Sequence, residues 1–164
     1  MTSIDPLTVP HELAARFAEL PSVLAVVLSG STSNRVDGGR SDFDIYVYTT
    51  AAIPAAWRTA RAPEHGGPTA IDNRYWEVGD DWIDARIGRM VDIMYRWPDW
   101  IEEQLDRLLA RHEASTGYST CFWHNVLHSE ALFDRDGWFA GLQARARQPC
   151  PDGLRRAIVA KNHP

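Results

Sequence analysis

Apolar positions recur along this chain at two spacings, one helical and one strand-like, and together they predict a mixed α and β domain. Leu13, Phe17 and Leu20 repeat at helical spacing behind Pro10, a residue favoured in a first helical turn. They predict a helix over 10–20, which Pro21 ends. The run Leu24-Ala25-Val26-Val27-Leu28 reads as a strand reaching Ser29, and a second strand is expected over 42–49. Between them, residues 31–41 are rich in Ser, Asn, Asp and Gly and read as a turn. A short helix over 51–62 and a loop over 63–69 follow. Residues 75–78, 82–86 and 90–96 read as strands, the last two joined by a tight turn at Ile87-Gly88. Trp100, Ile101, Leu105, Leu108 and Leu109 mark one face of a helix over 97–112. Helices over 120–129, 138–147 and 152–160 and a short strand over 131–134 complete the pattern, the strand ending in the turn Arg135-Asp136-Gly137. The expected fold is α+β: a mixed, mostly antiparallel sheet of about five strands flanked by helices.

The second strand opens on Asp42-Phe43-Asp44-Ile45. Side chains two apart on a strand share a face, so both carboxylates project together, roughly 6.5 Å apart at the backbone. They lie across from Gly30-Ser31, where the first strand ends. Paired carboxylates supply hard oxygen donors of the kind magnesium takes. Gly30 permits close backbone approach, and Ser31 offers a hydroxyl and an amide to phosphate. Arg35 and Arg40 in the connecting loop suit contact with phosphate oxygens. A third carboxylate, Asp92, lies in the apolar frame Met90-Val91-Asp92-Ile93-Met94-Tyr95, where an ionised side chain is costly to bury without a partner. Asp84 is its rival. With a two-residue turn at Ile87-Gly88, Arg86 pairs with Arg89 and Asp84 falls opposite Val91. Asp84 and Asp92 then face opposite ways, so only one can serve. The more apolar setting favours Asp92.

Composition narrows the picture. The 164 residues suit one domain, and a net charge of −5 argues against general nucleic-acid binding. Lys161 is the only lysine among 17 basic residues. Cys121 and Cys150 are far apart and not at metal-ligand spacing, and no signal peptide is read, so a cytoplasmic protein with free thiols is expected. No apolar run approaches the roughly 20 residues of a membrane span. His124 and His128 are four apart but lack a third ligand, and read as positions on a packed helix. Most of the tryptophans read as core, with Trp76 or Trp82 the candidates for stacking on a base. Asp80-Asp81 reads as an exposed turn.

Leu28-Ser29-Gly30-Ser31 with Asp42-Phe43-Asp44-Ile45 resembles the signature of the nucleotidyltransferase superfamily that shares the DNA polymerase beta palm fold. Gly30-Ser31-Thr32-Ser33-Asn34-Arg35 is similar to the variety found in bacterial kanamycin-type and minimal nucleotidyltransferases, although the glycine that follows the arginine there is displaced here to Gly38. Asp92 matches the third family carboxylate in its hydrophobic frame, and the run Leu132 to Gly137 is similar to a late strand and turn of the same group. The resemblance implies a catalytic domain over 1–148 and the start of a truncated helical region over 149–164. It implies transfer of a nucleoside monophosphate, usually from ATP, to a hydroxyl of a small molecule or protein, with release of pyrophosphate. Two magnesium ions, or manganese, would be held by Asp42, Asp44 and Asp92, and the nucleotide by Gly30, Ser31, Arg35 and Arg40. The alternative within the resemblance is an antitoxin-like or regulatory module acting through a helical partner protein.

Overall fold

The computed structural model describes residues 4–29, 42–60, 66, 69–75 and 77–162. In chain order these form α1 (Thr8–Ala18), β1 (Val23–Ser29), β2 (Phe43–Thr49), α2 (Ala55–Thr59), β3 (Thr69–Asn73), β4 (Gly79–Asp84) and β5 (Arg89–Arg96). They continue with α3 (Pro98–Leu109), α4 (Cys121–His128), β6 (Glu130–Asp134), α5 (Trp138–Ala146) and α6 (Asp152–Asn162). The strands make one six-stranded sheet in the order β3-β4-β5-β2-β1-β6. Only β2 and β5 run parallel; the other pairings are antiparallel. The expected α+β class and mixed, mostly antiparallel sheet are what the chain adopts.

Burial explains why the central strands are so apolar. In both β1 and β2 every residue but the second is buried, as expected of strands covered on two faces. On one face, Val9, Leu13 and Phe17 of α1 pack on Val26, Leu28, Phe43, Ile45, Val47, Val91 and Ile93. On the other, Val27, Tyr46 and Tyr48 meet Ile101, Leu105, Trp123, Val126, Phe139 and Leu142 from α3, α4 and α5. Leu154 of α6 is fully buried in this second layer and Ile158 packs against it, so both find their partner surface within the chain.

Two sequence expectations are corrected. A strand at 69–73 replaces the one expected at 75–78. β3 is a largely exposed edge with one large apolar residue, Ile71, and so lacks the usual hydrophobic signal. The segment after it turns instead, because the Asn73 side chain accepts from the Tyr75 amide at 2.9 Å and leaves Tyr75 exposed. The β4–β5 hairpin is also set differently: Asp84 pairs with Arg89, so the turn spans 85–88, with Gly88 at φ +63°.

The run Leu132 to Gly137 has a structural role. The Asp134 carboxylate accepts from the amides of Phe139 (2.8 Å) and Ala140 (2.9 Å) and so starts α5. Arg135 donates to the carbonyls of Val23, Ala18 and Leu20, tying β6 to the α1–β1 junction.

Candidate functional site

Strand register assembles the site. Across the parallel pair Asp44 lies beside Asp92, across β4–β5 Asp92 lies beside Asp81, and across β1–β2 Ser29 lies beside Asp44. Ser29, Asp44, Asp92 and Asp81 therefore form one row over four strands, with neighbouring strands about 4.8 Å apart. The row sits on the face of Tyr46 and Met94, beyond the helices that cover those residues. Its carboxylates are half-buried, and Asp42 is exposed just before β2.

Crowding shows in the acidities. The Asp44 carboxyl is pushed up to about 6, first by burial and then by the charges of Asp92 and Asp42. Asp92 is also raised, by burial and then by Asp81, Glu77 and Asp42. A cation among these groups would relieve their repulsion. The donors are all hard carboxylate oxygens, which suits magnesium. Among the described residues no set of three His, Cys, Asp or Glu closes on one metal point. Magnesium needs no such cage, since it commonly takes one or two carboxylates and fills its shell with phosphate oxygens and water.

The structure brings together Asp42, Asp44 and Asp92 of the expected site residues. Gly30, Ser31, Arg35 and Arg40 lie outside the described residues, as does Trp76. Asp84 does not join the row. It faces the other side, as expected, though through a different register. It is fully buried, with both carboxylate oxygens taken by Arg86. Trp82 is buried in the α1-side core and offers no platform for a base. His128 Nδ1 lies 2.9 Å from the His124 carbonyl within α4, consistent with a packed helix.

Sequence reasoning missed Asp81. Asp80-Asp81 is not an exposed turn but part of β4, with the two side chains on opposite faces. Asp80 is 2% exposed and meets Arg58 and Tyr95, whereas Asp81 joins the row. Only the β4–β5 register distinguishes them. Glu77 was missed as well. It holds Arg96 through contacts of 2.8 and 2.9 Å, and that guanidinium lies 3.7 Å from the centre of the Tyr46 ring.

A cleft of about 350 Å³ opens at the opposite ends of β2 and β5, lined in part by Thr49, Ile53, Arg58, Asp72, Tyr95 and Trp97. Arg58 and Asp72 are paired with each other at 3.0 Å, and no carboxylate of the row borders this cleft. No helix among the described residues is long and apolar enough to cross a membrane.

No protein-family model matches the chain, and no curated protein is significantly similar to it. Among solved structures it is similar to a nucleotidyltransferase-like protein from Exiguobacterium sibiricum, with 12% identity and a TM-score of 0.46. That match covers 90% of this chain but 40% of the other, so the chain spans well under half of that relative's length. It is also similar to a mutant of the toxin–antitoxin MntA–HpeT, with 12% identity and a TM-score of 0.42 over 83% of this chain and 82% of that one.

Proposed function

We propose that the chain is a magnesium-dependent nucleotidyltransferase. It would move a nucleoside monophosphate from a nucleoside triphosphate, ATP in the first instance, to a hydroxyl of a small molecule or protein. The observation that carries this reading is the β2–β5 register. It sets Asp44 beside Asp92 on one face, with Asp42 at the strand's start and Ser29 leading into Gly30-Ser31. Asp42, Asp44 and Asp92 would hold a pair of magnesium ions, with manganese the alternative. Bound there, such ions neutralise phosphate charge and stabilise attacking and leaving oxygens.

In the proposed step the acceptor oxygen bonds to the α-phosphorus. The bond from that phosphorus to the β-bridging oxygen breaks, and pyrophosphate leaves. Asp92 takes the acceptor's proton. Gly30 and Ser31 receive the leaving phosphates through backbone amides and a hydroxyl, and Arg35 and Arg40 pair with phosphate oxygens.

The test is calorimetric titration of ATP with magnesium into the chain and into its Asp42→Asn/Asp44→Asn double variant. Metal-dependent binding by the first and none by the second is the expected result. Equal binding by both would remove the carboxylates from the site. No binding by the unmodified chain would overturn the enzyme reading and favour a regulatory module working through a helical partner.

A further inference from the structure

Helix α4 turns one face to the second core and another to solvent. Trp123 and Val126 are buried, whereas His124 and His128 are exposed. Four residues apart, the two histidines stand one above the other on a single helical face. Their rings are stacked, with centroids 4.0 Å apart and planes 26° from parallel. The His128 Nδ1 lies 2.9 Å from the His124 carbonyl oxygen. A carbonyl only accepts, so Nδ1 carries a hydrogen, and in the neutral ring Nε2 keeps its lone pair. Metal-ligating imidazoles are commonly oriented in this way, donating their other ring hydrogen to a backbone carbonyl. The pair differs in chemistry from the carboxylate row: nitrogen donors on an exposed helix, against oxygen donors half-buried on the sheet.

We propose that His124 and His128 form a two-imidazole site for a borderline divalent cation such as zinc, nickel or copper, separate from the carboxylate row. Imidazole suits those ions, while magnesium takes hard oxygen donors. With metal–nitrogen bonds of about 2.0–2.1 Å, one ion spans two nitrogens up to about 4 Å apart, the scale on which these rings lie. Two such ligands leave the remaining positions to water, which agrees with the lack of a three-residue cage among the described residues. The site is therefore open and its ion exchangeable. Both ligands belong to α4, so a bound ion bridges the last turn of that helix and stabilises the folded chain. The inference stands independently of the nucleotidyltransferase reading.

The experiment is calorimetric titration of nickel chloride into the untagged chain, with magnesium in excess to compete for the carboxylates, followed by melting curves with and without nickel. The same measurements are made on His124→Gln, His128→Gln, His11→Gln and Cys121→Ser. One nickel site is expected despite the magnesium, and nickel should raise the melting temperature. Either substitution in the pair should weaken binding at least about tenfold, because the second imidazole acts as an intramolecular ligand. Each should also abolish the rise in melting temperature. His11, exposed on α1, and Cys121, exposed one turn before His124, are the controls, and their variants should bind as the unmodified chain does. Both histidines of the pair are exposed, so their variants should melt like the unmodified chain when nickel is absent; if one fails to fold, the other decides. No nickel binding under excess magnesium would overturn the inference. So would affinity within twofold of the unmodified chain in a folded variant of the pair, or loss of binding in Cys121→Ser.

Discussion

Asp44 is the residue at which the proposed chemistry and the stability of the fold conflict. Its carboxyl titrates near 6 in the folded chain instead of 3.8, so the folded state holds the proton more tightly than the unfolded state does. The sign follows. The stability linked to this group is complete below about pH 4 and is lost as pH rises through about 6, where folding must retain a charge that burial, Asp92 and Asp42 oppose. Asp44→Asn should therefore melt higher than the unmodified chain at about pH 7.5 without divalent cations, and the gap should close toward pH 4. Melting curves across that range check it, and a variant no more stable at the upper end would refute the account.

At the scale of elements, α2 is tied to the sheet by charge. Arg58 donates to the Ile53 carbonyl, to Asp80 on β4 and to Asp72 on β3, while the Tyr95 hydroxyl of β5 donates to Asp80 at 2.6 Å. Removing Asp80 leaves the nearly buried Arg58 guanidinium with Asp72 and the Ile53 carbonyl alone, and the Tyr95 hydroxyl without its acceptor. Asp80→Ala should cost about 1.5–3 kcal/mol in urea unfolding, and a loss below about 1 kcal/mol would show that the network contributes little. This β3–β4 region is also where the sequence was least legible. The continuous apolar runs of β1 and β2 and the helical repeat of α3 identify those elements without help. β3 has one large apolar residue, and its edge position asks for no more. The hairpin turn was misplaced because Ile87-Gly88 is a plausible two-residue turn, while pairing across the sheet selects a four-residue one. The same lack of register hid Asp81. Asp42 and Asp44 were legible from their spacing, and Asp92 from being a carboxylate in an apolar frame. The side of the sheet that Asp81 faces is fixed by a partner strand, which no local pattern encodes.

Over the whole molecule, one sheet separates two cores, and the second is completed only by the last helix. Leu154→Ala should cost about 2–5 kcal/mol, measured as a shift in the urea midpoint at unchanged slope. A negligible shift would mean that α6 merely rests on the surface. The parallel pairing of β2 with β5 spans residues 50–88, and α2, β3 and β4 all lie within that interval. During synthesis, β1 and β2 can form their hairpin while Asp92 is still to be translated. At that stage the nascent chain holds Asp44 without Asp81 or Asp92, and until α6 emerges its second face stays uncovered. The acidic row is complete once β5 has been made, whereas the interior closes only with α6, so a translation product that ends between the two displays its carboxylates over an open second core.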